Sequence, residues 1–220
     1  MRLVSAAKGR RARAQLAVFA LACEVLGGCR RAPAPIPAAA ALPKSPATTF
    51  PDATGPLSRY LSKRLALSLS LPDGKTWRID DHSQPELVAT HAPTRSKVVI
   101  TVFHADEIVG RAQCEALTRA RKLVPTGDLR TLEDQVAFTQ QTFDTRVWVA
   151  VEAGGGPNGS LLGYVMAFGG FLRKCFAFVF STQVDSASEE PVLASRLAIG
   201  RARILGGLAI DDVLQPRVRP

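Results

Sequence analysis

Residues 30–56 (RRAPAPIPAAAALPKSPATTFPDATGP) carry seven of the chain's fifteen prolines, with alanine filling most of the remaining positions. Proline lacks a backbone donor and fixes φ, so so dense a stretch belongs to neither a helix interior nor a central strand. The composition predicts a semi-rigid, polyproline-like spacer that would reach about 80 Å if fully extended. It divides the chain into residues 1–28, a spacer that begins with Cys29 and runs to residue 57, one domain over 58–212, and a tail over 213–220. About 155 residues are enough for a single domain with a substantial core.

Within the domain, Leu65, Leu67, Leu69 and Leu71 alternate with Ala66, Ser68 and Ser70. Pro72-Asp73-Gly74 is a turn signal, and Trp77 and Ile79 resume the alternation, which predicts a first hairpin. Leu87 to His91 reads as a short strand, and Val98 to Phe103 (VVITVF) as a β-branched strand covered on both faces. A helix is expected over Glu107–Leu123 with Asp106 as N-cap and an apolar stripe of Val109, Ala112, Ala116, Ala120 and Leu123. Residues 124–143 read as a loop with a short strand around Val136–Thr139. Arg146–Glu152 is a strand with Val147, Val149 and Val151 on one face, and the glycine run 154–159 is a long turn. Leu161–Phe168 and Lys174–Ser181 form a hairpin around Gly169-Gly170. A last helix runs from near Ser188 towards Leu208, with Pro191 in its first turn.

Hairpin-linked strands with two helices of covering length indicate an α+β fold, mainly an antiparallel sheet of hairpins covered by two helices. The element order is similar to that of the PsbP-like α/β/α sandwich of small secreted and lumenal proteins. That likeness implies a fold and no function.

The N-terminus has three parts. Arg2, Lys8, Arg10, Arg11 and Arg13 form a basic region, Leu16–Cys23 is a short apolar run, and Val25-Leu26-Gly27-Gly28-Cys29 ends it. The run is too short to span a bilayer, which takes about 20 residues. This arrangement resembles a bacterial lipoprotein signal peptide with its lipobox: Leu26 matches the apolar position three before the cysteine, and Gly27 and Gly28 match the small ones. The resemblance implies cleavage between Gly28 and Cys29, a diacylglyceryl group on the Cys29 thiol and acylation of its freed amine. It implies a cell-membrane or outer-membrane location, facing the periplasm or the outer surface. Arg30 is not the aspartate that retains such proteins at the inner membrane, which leans towards the outer one.

The formal charge of +9 loses its first meaning once the signal is set apart. Residues 1–28 hold five basic groups and one acidic group, Glu24, leaving +5, of which Arg30, Arg31, Arg217 and Arg219 supply most. The domain is close to neutral and interleaves no aromatic and basic residues as a base-stacking surface would, so nucleic acid is not an expected partner. The expected partners are the membrane, through Cys29, and an envelope protein.

Of four cysteines, Cys23 lies in the signal and Cys29 takes the lipid, which leaves Cys114 and Cys175. An even pair in an oxidising compartment is expected to form a disulfide, which would stabilise the domain by roughly 4 kcal/mol on the chain-entropy account. Two buried thiols acting as small apolar residues are the alternative.

No catalytic constellation stands out. His82, His91 and His104 are the only histidines, and His104-Ala105-Asp106-Glu107 has no second cluster at metal-ligand spacing, so no metal or cofactor is expected. Asp80-Asp81-His82 reads as a solvated turn, and the glycine run lacks a phosphate-cradling Gly-Lys-Ser/Thr ending. Trp77, Trp148, Tyr60 and Tyr164 could line an apolar pocket or fill a core. The expectation is a membrane-anchored lipoprotein with a non-catalytic interaction domain. The alternatives are an anchored hydrolase with dispersed site residues and a small-ligand binder.

Overall fold

Small and large side chains alternate along the strand at the centre of the structure, and this alternation sets both of its neighbours. The computed structural model describes residues 48–50, 54–136, 143–152 and 159–210. Its strands are β1 (Leu57–Ser62), β2 (Leu67–Pro72), β3 (Trp77–Asp80), β4 (Leu87–His91), β5 (Ser96–His104), β6 (Leu129–Val136), β7 (Asp144–Glu152), β8 (Leu161–Phe171), β9 (Lys174–Val184) and β10 (Ala209–Ile210). Helix α1 spans Arg111–Ala120, and α2 spans Glu190–Ile199 and continues as a wider π-type turn over Gly200–Leu205. The fold is α+β with mainly antiparallel sheet. Seven strands pair in the order β3-β4-β5-β9-β8-β7-β6, and β1-β2-β10 form a second sheet. Among the described residues no helix is long and apolar enough to cross a membrane.

On β9, Phe176, Phe178 and Phe180 point to one side and Cys175, Ala177 and Val179 to the other. The phenylalanines are fully buried with Leu193 and Leu197 of α2 and Leu67, Leu69 and Leu71 of β2, each burial stabilising by about 1.5–3 kcal/mol. The small side chains let α1 approach the opposite face, where Cys114 packs against Cys175, Phe103 and Val109. One helix therefore lies on each face of the larger sheet.

Several expected features fall elsewhere. The strand holding Leu67, Leu69 and Leu71 does not pair with the strand holding Trp77 and Ile79: β2 pairs with β1 and β10, and β3 pairs with β4. Asp73 turns left-handed (φ 50°) and a 3₁₀ turn over Gly74–Thr76 carries the chain from one sheet to the other. Alternation specifies a face but not a partner. Helix α1 begins four residues later than expected, and Gly110 rather than Asp106 is its N-cap. Val109 N donates to Leu172 O (2.7 Å) and Ala105 N to Arg173 O (2.8 Å), which ties the segment before the helix to the β8–β9 turn. Its buried face is Cys114 and Thr118, while Ala112, Ala116 and Ala120 are exposed. The region read as loop holds β6, with a bulge between Thr131 and Glu133 that leaves Leu132 unpaired. The expected strand at 136–139 lies outside the described residues except for Val136, and the glycine turn except for Gly159.

Gly169 and Gly170 are strand residues, not the turn, which is Leu172-Arg173. A Cβ at Gly169 would meet the Phe176 ring at 2.0 Å, and one at Gly170 would meet Gly110 C at 2.7 Å and Val109 O at 2.8 Å. These glycines serve close approach. Gly170→Ala pushes against backbone that cannot rotate away, and is expected to lower stability by about 1–3 kcal/mol. A fall in the urea midpoint at unchanged m-value measures it.

Candidate functional site

Where α2 rises from the sheet, its first turns and the edge strand β6 diverge and leave a groove of about 400 Å³. Val151 of β7 and Leu161 of β8 contribute to its floor, Leu193, Ala194 and Leu197 of α2 to one wall, and Arg130 and Leu132 of β6 to the other. The β6 bulge produces the gap, because Leu132 is pushed out of the ladder and is 50% exposed. Further along α2, Arg201 reaches β6, with Nη1 3.0 Å from Glu133 Oε2 and Nη2 donating to Gln135 Oε1 at 2.7 Å. Glu190 and Arg130 also line the groove, and neither has an ion-pair partner among the described residues. Glu152 borders it, but its carboxylate lies against Gly127 and near Tyr164. Burial, with Glu152 adding, pushes the Tyr164 phenol up to about 12.

A second cluster surrounds Arg196 of α2, which is 2% exposed. Its Nε donates to Thr48 O (2.9 Å), Nη2 also to Thr48 O, and Nη1 to Thr94 O (2.9 Å), Gln183 O (2.8 Å) and Thr182 Oγ1 (3.4 Å). Desolvation lowers its pKa, and the charge of Glu189 works against that. Two residues on, Phe50 is 1% exposed, its ring stacked 6.1 Å from Trp77 and tilted 5.1 Å from His91. Thr48–Phe50, assigned by sequence to the spacer, thus belong to the packed domain. His91 is fully buried, with Nδ1 2.7 Å from Thr94 Oγ1 and Nε2 3.4 Å from Asp73 Oδ2. Burial lowers its pKa, Asp73 opposes the shift and the nearby Arg196 charge adds to it.

Cys114 and Cys175 are joined as a disulfide, with Cα atoms 5.4 Å apart, linking α1 to β9. Gly28 and Cys29 lie outside the described residues, as does the tail with Arg217 and Arg219. The four aromatic residues considered for a pocket are not together. Trp77 is in the core with Phe50, and Tyr60 OH donates to Asp81 Oδ2 (3.2 Å). Tyr164 and Trp148 lie on the α1 face, where Arg119 and Arg146 sit 4.8 and 4.5 Å from the Trp148 ring centre. The three histidines do not converge, and among the described residues no three His, Cys, Asp or Glu side chains group as a metal site. Asp80 accepts from His82 N and Ser83 N as a turn residue does, but its neighbour is not solvated. Asp81 is 5% exposed and pairs with Arg64 at 3.1 Å. Sequence reasoning missed Phe50, Arg130, Glu190 and Arg196; the one available signal was Arg196 as the single charge in VLASRLAI.

Two outcomes follow from these clusters. Because the folded state holds His91 below its ordinary value, the unfolded chain takes up the proton first as pH falls. Stability from the neutral ring is complete above about pH 6.5 and declines below it, by at most about 1.4 kcal/mol per pH unit. His91→Asn should flatten that decline, read from urea unfolding between about pH 7 and 5. Replacing Cys114 and Cys175 together by alanine should cost about 2–4 kcal/mol, and reductant should then leave the unfolding midpoint of that variant unchanged.

No protein-family model matches the chain, and no curated protein matches it. Among solved structures, a crystal structure from Bacteroides thetaiotaomicron VPI-5482 at 1.50 Å resolution is similar over 70% of this chain and 48% of its own, with a TM-score of 0.42 and 10% sequence identity. This chain spans about half the length of that structure.

Proposed function

We propose that the chain is an exported lipoprotein, anchored through Cys29, whose domain is a non-catalytic binding module held off the membrane by the proline-rich spacer. The observation that carries the reading is the order of parts at the N-terminus: five basic residues, an apolar run of eight, and Leu26-Gly27-Gly28-Cys29. The buried disulfide between α1 and β9 supports it, since such bridges persist in oxidising compartments. The groove beside α2, mostly apolar and bordered by Arg130 and Glu190, which have no ion-pair partner among the described residues, supports binding as the domain's role.

Intact mass and membrane fractionation of the native protein beside a Cys29→Ser variant test the anchor. The native protein should lose residues 1–28, gain the mass of the lipid and sediment with membrane. The variant should gain no lipid. A native protein that keeps its N-terminus and stays in the soluble fraction would overturn the reading.

A further inference from the structure

We propose that the groove between α2 and β6 binds a single-chain zwitterionic amphiphile, its apolar chain over Leu132, Val151, Leu161 and Ala194 and its head group between Arg130 and Glu190. This deepens the binding role proposed above and is independent of the anchor. The volume, about 400 Å³, lies within the range of small-ligand sites, roughly 300–1,000 Å³. Apart from its charged residues the lining is leucine, valine and alanine, so it offers a long apolar body no other side-chain hydrogen bond. Leu132, half exposed at the bulge, extends the apolar wall outward.

The head group follows from charge. Arg130 on β6 and Glu190, the first residue of α2, stand on opposite walls and do not pair with each other or with any other described side chain. The remaining charges nearby are directed elsewhere, Arg201 to Glu133 and the Glu152 carboxylate towards Gly127. A purely anionic head would meet Arg130 but be repelled by Glu190, and a cationic one would meet the reverse. A phosphate with an ammonium beyond it satisfies both, since a guanidinium matches phosphate geometry and a carboxylate takes the cation. Ala187 and Ala194 are exposed where they border the groove, and larger side chains there would fill it.

The probe is dodecylphosphocholine below its micelle threshold, titrated into the full chain carrying Cys29→Ser, with amide chemical shifts as the readout. Lipidation is absent from this chain, so success or failure of the anchor does not enter. The apolar run at 16–23 is common to all variants and cancels in comparison. Saturable shifts are expected at residues 130–132, 151 and 187–197. Arg130→Gln and Glu190→Gln, both at exposed positions, should each weaken binding about tenfold, and dodecyl maltoside, with the same chain and an uncharged head, should bind at least about tenfold less tightly. Ala194→Trp should abolish the shifts. Shifts that do not saturate, equal binding of dodecyl maltoside, or full binding by a folded Ala194→Trp variant would each overturn the proposal. Should Ala194→Trp unfold, the two charge variants decide it alone.

Discussion

A buried guanidinium held by backbone carbonyls governs one end of this fold. Taking a charge out of water costs several kcal/mol unless hydrogen bonds replace its hydration. Arg196 meets that requirement with the carbonyls of Thr48, Thr94 and Gln183 and the hydroxyl of Thr182. Four separate segments must therefore be in place together: the N-terminal strap, the turn after β4, the end of β9 and α2. If any one withdraws, an unsolvated charge remains, so the arrangement is cooperative by construction. Phe50 is held by the same clasp, and its ring, packed on Trp77 and His91, completes the core at the β3–β4 edge. The spacer expected over 29–57 therefore gives up Thr48–Phe50 to the packed domain.

The opposite face works differently. Helix α1 brings little apolar surface to the sheet: Cys114 and Thr118 are buried, Leu117 is partly so, and the rest is polar or exposed. Hydrophobic burial, at about 25 cal/mol per Å², holds such a helix only weakly. Covalent attachment to Cys175, the hydrogen bonds from Val109 and Ala105 to the β8–β9 turn, and the ion pairs of Arg111 with Asp144 and of Arg146 with Glu115 make up the difference. The sheet beneath is shaped for close contact, with Gly170 against the backbone of Val109 and Gly110. One helix is fixed by packing and a buried charge, the other by a cross-link over a surface of small residues.

Strands β5, β7, β8 and β9 were legible in the sequence because β-branched and aromatic residues recur in them with the period of a strand. The pairing of β2 was not, since β1 (LSRYLS) is largely exposed and carries too weak a pattern to announce itself as a partner. Gly169-Gly170 looked like a turn because single-sequence reading cannot separate glycine needed for φ from glycine needed for space. The alanine stripe misplaced the buried side of α1, where a cysteine and a threonine do the packing and the alanines face water. At the site level, Cys114 and Cys175 could be paired by counting. Arg130 and Glu190 could not be found, because each depends on which elements the fold brings beside it, and Arg196 showed only as a lone charge in VLASRLAI.

Helix α2 links the two clusters. Leu193 and Leu197 line the groove and Arg196, next to Leu197, holds the strap, so neighbouring faces of one helix serve both. Gly163 lies beneath it, where a Cβ would meet Leu197 at 2.9 Å and Leu193 at 3.2 Å, which brings the helix close to the sheet. Arg196 anchors the middle of the helix and Arg201 bridges its continuation to Glu133 and Gln135 of β6. The groove wall is thus fixed at two points by bonds that a ligand need not form. A preformed cavity spends little binding energy on ordering its walls. On this account the buried arginine that closes the N-terminal end of the domain also keeps the groove open.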